Sequence, residues 1–142
     1  MTDLYDYAPP DGVEVLIKWL KDLAETRDAR PSGAVLPFVM VHRIGGGDDG
    51  LVDKGLYSIQ IFAATKPEAQ ALSMRVHRRM RLLAGPFNGQ AKVTISTGDV
   101  FVDNVVVVEG PREMEYVDDA IPKTIYRYVA TYRVELRFVA VN

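Results

Sequence analysis

The segment from Tyr126 to Ala140 constrains this chain most. Tyr126, Tyr128, Ala130, Tyr132, Val134, Leu136, Phe138 and Ala140 alternate with Arg127, Thr131, Arg133, Glu135 and Arg137. A period of two with one apolar and one wet face specifies a half-buried β-strand. Fully extended, it would span roughly 50 Å, well beyond an ordinary strand. It must therefore bend, bulge or run past its own sheet. Any fold for this chain has to supply a sheet large enough to use it.

Two helices are expected to cover that sheet. Asp11 and Glu14 have capping-box spacing, and Val13, Leu16, Ile17, Leu20, Leu23 and Ala24 form one apolar stripe that fades by Arg27. Thr65 and Glu68 repeat the capping spacing, and Pro67 falls in the first turn. Ala69, Leu72, Val76, Met80 and Leu83 then form a second stripe, and Ala84-Gly85-Pro86 stops the helix. Strands are expected over Pro37 to Ile44, Gly55 to Ala64, Ala91 to Ser96 and Val100 to Glu109, with a bend at Gly110-Pro111 and an acidic loop or edge segment over Glu113 to Pro122. The Gly45–Asp53 stretch reads as a loop of about ten residues joining the first two strands. These expectations give an α+β domain over residues 11–142. Its antiparallel-dominated mixed sheet of four to five strands has two helices packed on one face, in the order α-β-β-α-β-β-β. Residues 1–10 form an N-terminal arm in which Tyr5 and Tyr7 stand among acids and prolines, free or docked on a neighbour.

Composition removes several classes of chemistry. The 142 residues are 48% hydrophobic and 25% charged, ordinary for a globular domain. The chain has no cysteine, which excludes disulfides, thiol nucleophiles and cysteine-based zinc sites. Two histidines, His42 and His77, are too few for a histidine-rich metal site. A formal charge of −2 argues against binding nucleic acid by bulk charge. The acidic start has no apolar core of a signal peptide after it, and no run approaches the ~18 apolar residues of a membrane span.

No motif assembles a catalytic site. Gly45-Gly46-Gly47-Asp48-Asp49-Gly50 lacks the Lys-Ser/Thr and the following helix of a P-loop, and its aspartates would repel phosphate. Asp48, Asp49 and Asp53 do not match EF-hand spacing. Ser58, Ser73 and Ser96 have no nucleophile-elbow setting. His42 reads as a hydrogen-bonded sheet residue. The Asp118-Asp119 pair reads as a solvated acidic loop. Arg75, Arg78, Arg79 and Arg81 give the second helix a basic surface, either solvated or turned to a partner. An acidic patch around Asp118 and Asp119 on another copy would match it, a heterologous contact of the kind that closes rings. Without an enzyme site, cofactor or metal, these extensions suit an assembly subunit.

The chain also resembles a known family. Beyond the first helix, the resemblance lies in Pro37-Phe38-Val39-Met40-Val41-His42-Arg43-Ile44-Gly45-Gly46-Gly47-Asp48-Asp49 and in Tyr57-Ser58-Ile59-Gln60-Ile61-Phe62-Ala63-Ala64 with its Thr65-led helix. It continues in Glu109-Gly110-Pro111 and Tyr128-Val129-Ala130-Thr131-Tyr132-Arg133-Val134. In this order of elements, over about residues 11–138, the chain resembles tail terminator proteins of long-tailed bacteriophages, especially those of actinobacterial phages. The resemblance implies a structural virion protein, assembled in the bacterial cytoplasm, that forms a hexameric ring on the head-proximal end of the tail tube. Such a ring stops tube polymerisation and joins the tail to the head connector. Its partners would be copies of itself, the tail-tube protein and the head–tail connector protein, with genomic DNA passing through the lumen unbound and no membrane involved. Interface residues on this reading are Tyr5, Tyr7, Arg43, Gly46, Asp48, Asp49, Arg75, Arg78, Arg79, Asp118 and Asp119, the last two also candidates for an acidic channel wall. The alternatives are another neck protein of the connector or completion type, and a nucleic-acid-binding module that uses the basic second helix.

Overall fold

The computed structural model describes residues 6–31, 33–83, 91–116 and 125–140. Tyr5, Asp118, Asp119 and the Ala84-Gly85-Pro86 stop lie outside the described residues. In chain order the elements are β1 (Tyr7–Ala8), α1 (Gly12–Leu20), β2 (Glu25–Arg27), β3 (Phe38–Asp48), β4 (Val52–Ala63), α2 (Lys66–Leu82), β5 (Ala91–Ile95), β6 (Gly98–Tyr116), β7 (Ile125–Arg137) and β8 (Val139–Ala140).

The class is α+β, but the expected sheet and order need correction. The main sheet has six strands, ordered β2-β3-β4-β7-β6-β5, and β1 and β8 form a separate two-stranded sheet. Three physical reasons account for the difference. Glu25–Arg27, expected to be the fading end of a helix, pairs parallel with Phe38–Met40 and makes the sheet mixed. This β2 is too short for its period to show, and only its central Thr26 is buried. The arm contributes β1, whose Tyr7 and Ala8 pair with Ala140 and Val139. Finally, the long terminal segment breaks at Phe138, whose amide donates to the Leu51 carbonyl at 2.9 Å instead of continuing the ladder.

The glycine run is also corrected, from loop to strand. β3 continues through it to Asp48, with a bulge between Arg43 and Gly45. A side chain at Gly46 is impossible here. Its φ is +94°, and a Cβ would meet the Lys54 carbonyl oxygen at 2.2 Å. The turn is tight: the Asp49 carboxylate accepts from the amides of Leu51 and Val52 at 3.0 and 2.8 Å, and Asp48 accepts from Gly50 at 2.9 Å. β6 likewise crosses Gly110-Pro111, absorbing them in bulges between Val107 and Arg112, and runs on to Tyr116 where a loop or edge segment was expected.

Both helices start where their caps require. Asp11 accepts from the Glu14 amide at 3.2 Å, and Thr65 from the Glu68 amide at 3.3 Å. One core joins them to the sheet: Val15, Leu16 and Leu20 of α1 and Leu72, Val76 and Met80 of α2 pack with Val41, Ile59, Tyr132, Val134 and Leu136. α2 lies over the central strands β4, β7 and β6, whereas α1 touches β2 and β3 on one flank and β5 on the other. The sheet therefore curls around α1. On its outer face a smaller cluster of Phe38, Phe62 and Ile125 is covered by Ala34 and Leu36, with the Arg30 guanidinium 5.2 Å from the Phe62 ring centre.

Candidate functional site

The turn between β3 and β4 is the place where the arm, the glycine run and the end of the long terminal segment meet. Leu51 at its tip is 65% exposed, an apolar residue with no core to enter. Beside it the chain leaves β7, breaks at Phe138 and pairs through β8 with the arm strand β1. Tyr7, 41% exposed, lies against this junction. Between them is a groove of about 600 Å³ lined by Tyr7, Gly50, Leu51, Val52 and Phe138, with Asp103 and Arg137 on one wall. Arg137 donates to the Asp103 carboxylate at 3.0 Å. The arm and the glycine hairpin, far apart in sequence, thus build one apolar groove with an ion pair at its edge. Its chemistry suits an apolar side chain of another protein. Leu51 falls in the stretch that the sequence reads as a loop, and Phe138 in the terminal segment, where the sequence requires a bend, a bulge or an overrun without saying at which residue.

The structure places the other candidate residues as follows. Arg43 lies on the inner face, where its guanidinium donates two hydrogen bonds, 2.7 and 2.9 Å long, to Asp53 and sits 5.8 Å from the Tyr57 ring centre. Asp53 is buried, so the pair locks the bulged part of the hairpin from within. The hydrogen bonds of Asp53 raise the Arg43 pKa above its already high ordinary value. Gly46 lies in the same bulged stretch. Asp48 and Asp49 cap the turn, and the amides that Asp49 accepts hold its carboxyl below the usual range. These four residues shape the hairpin that carries Leu51.

The basic helix divides. Arg79 is held to α1: it donates to the Asp22 carboxylate at 2.7 and 3.1 Å and to the Trp19 carbonyl at 3.3 Å. The Trp19 indole returns a 2.8 Å bond to the Arg79 carbonyl. Arg75, Arg78 and Arg81 stay exposed beside Met74 and Leu82. His42, as expected, is a sheet residue, with Nε2 2.6 Å from the Asp28 carbonyl.

His77 serves the core. Its Nδ1 lies 2.7 Å from the hydroxyl of fully buried Tyr132. Burial, reinforced by the charge of Arg81, lowers the His77 pKa. The folded chain therefore resists a proton that the unfolded chain accepts at about pH 6.5. The resulting contribution to stability is complete above that pH and is lost as the pH falls below it. His77→Gln should flatten the fall in melting temperature between about pH 7.5 and 5.5. Thermal unfolding across that range checks it; an unchanged slope would assign the acid sensitivity to other groups.

Compared with known proteins, the sequence matches no protein-family model and no curated protein.

Proposed function

We propose that this chain is a non-enzymatic virion subunit that assembles with copies of itself into a ring on the head-proximal end of a phage tail tube. There it ends tube polymerisation and joins the tail to the head connector. The sequence resemblance supplies the station, and the groove carries the argument for assembly. Leu51, Tyr7 and Phe138 hold apolar surface at one end of the sheet, on a hairpin that is locked from behind by Arg43 and Asp53. A rigid support under exposed apolar residues is what a docking surface needs, because little ordering entropy is then lost on binding.

Light scattering on the purified chain, alone and mixed with tail-tube protein, tests this reading. The expected result is a free ring of about six chains, or a monomer that forms rings only on the tube. Leu51→Asp should abolish attachment to the tube. A monomer indifferent to tube protein but retained on DNA would overturn the proposal in favour of the nucleic-acid module. Steep loss of that retention with salt, made shallower by replacing Arg75, Arg78 and Arg81 with glutamine, would identify those arginines as its contacts.

A further inference from the structure

Three arginines on the outward face of α2 make no ion pair among the described residues. Ala69, Leu72, Val76 and Met80 are buried against the sheet, so Met74, Arg75, Arg78 and Arg81 gather on the opposite side. Elsewhere guanidinium groups are held: Arg43 by Asp53, Arg133 by Glu135, Arg137 by Asp103, and Arg79 of α2 itself by Asp22. Arg75 acts on Asp22 only through its charge, because Arg79 already bonds both oxygens of that carboxylate. Met74 lies among these guanidiniums and is 48% exposed. Met74, Arg75 and Arg78 all stand at least a full turn before α2 ends at Leu82.

This composition points to a protein partner. Methionine and arginine are enriched where proteins meet, whereas a merely solvated face is richer in lysine and glutamate. A DNA backbone would answer the arginines with phosphates and leave Met74 without an apolar neighbour. The face calls for an apolar pocket flanked by carboxylates.

The hairpin end of the sheet has that chemistry. The groove of Tyr7, Leu51 and Phe138 is apolar, and Asp48 and Asp49 stand on the turn that carries Leu51. The turn amides engage one oxygen of each carboxylate: Asp48 Oδ1 accepts from Gly50, and Asp49 Oδ1 from Leu51 and Val52. Asp49 Oδ2 has Lys54 Nζ at 3.7 Å, beyond hydrogen-bond range, and Asp48 pairs with no cation among the described residues. Each carboxylate thus keeps an oxygen for an outside donor. Arg137 on the groove wall is neutralised by Asp103, so it does little to repel an incoming guanidinium.

The two surfaces share no residue, and one copy presents both at once. A contact between unlike patches is heterologous, and repeating it by one rotation closes a ring. The unbranched side chain of methionine adapts to an irregular pocket. The carboxylates are already oriented by the turn, so little ordering remains to be done on docking.

We infer that α2 of one copy docks on the hairpin end of the next, with Met74 entering the groove of Tyr7, Leu51 and Phe138 while Arg75 and Arg78 meet Asp48 and Asp49. The inference rests on the ring reading above and names the occupant of its groove. Since the chain has no cysteine, introduced thiols test it directly, with and without tail-tube protein. A mixture of M74C and L51C chains should form disulfide-linked dimers, neither variant alone should, and the double variant should give a ladder ending in a covalent ring. R75E/R78E should melt with the unmodified chain, yet assemble at least about tenfold more weakly. Rings that form without the cross-link, or undiminished assembly of R75E/R78E, would overturn this contact and leave the ring reading standing. M74C linking to itself would overturn it in favour of a two-fold contact between helices. Retention of the unmodified chain on DNA that R75E/R78E loses while its rings persist would give the arginines to nucleic acid instead. A chain that stays monomeric alone and with tube protein would overturn both the contact and the ring.

Discussion

Arg43→Met should destabilise the fold by about 3 kcal/mol, whereas Asp53→Asn should cost only about half as much. The asymmetry follows from burial. The Asp53 side chain is 2% exposed and that of Arg43 36%. Removing Arg43 strands a carboxylate where water cannot solvate it, and breaking a buried pair in that way is the expensive case. Neutralising Asp53 frees a guanidinium that already reaches solvent and keeps its place over the Tyr57 ring. Urea denaturation of the two variants measures the difference. Equal costs would mean that Asp53 is solvated in ways its burial does not show. The functional consequence is specific, because the pair joins the bulged part of β3 to β4 below the hairpin tip. If the chain assembles as proposed, the Arg43 variant should therefore lose assembly at temperatures where it is still folded.

How much of this was legible in the sequence depended on whether a signal was local. The caps of both helices were readable because Asp11 and Thr65 bond within three residues of themselves. The period-two face of Tyr128 to Leu136 was readable because every second residue enters one core. The glycine run misled because glycine has low strand propensity, and only pairing with Lys54, Gly55 and Leu56 makes it a strand. β1 and β2 were missed because two or three residues show no period; each is defined by a distant partner. The candidate site divided on the same principle. Tyr7, Arg43, Gly46, Asp48 and Asp49 could be nominated, yet only the folded hairpin separates the residue that faces outward, Leu51, from those that support it. Arg79 resembled its basic neighbours in sequence, and its bond to Asp22 across the helix pair sets it apart.

The second large effect belongs to the contact between α1 and the sheet. A Cβ on Gly12 would lie 1.7 Å from the Tyr57 hydroxyl oxygen, 2.6 Å from Cζ of the ring and 3.2 Å from the Leu136 side chain. Gly12→Ala must therefore move the first turn of α1 or the tyrosine, and neither has room in a packed core. Overpacking of this kind should cost about 3 kcal/mol despite alanine's better helix propensity. Tyr57→Phe should be nearly neutral by comparison. The hydroxyl is buried without a hydrogen-bond partner among the described residues, so its removal leaves no group unsatisfied. Burial also pushes its pKa up to about 12, which keeps it uncharged through the physiological range. In the double variant the nearest clash is gone and the one with Cζ remains. Part of the alanine penalty should then be recovered, giving a coupling of about 1 kcal/mol in a double-mutant cycle followed by urea denaturation. If Tyr57→Phe alone cost as much as Gly12→Ala, the hydroxyl would have to be making a bond, and Gly12 would be tolerated there for that bond rather than for the space it leaves.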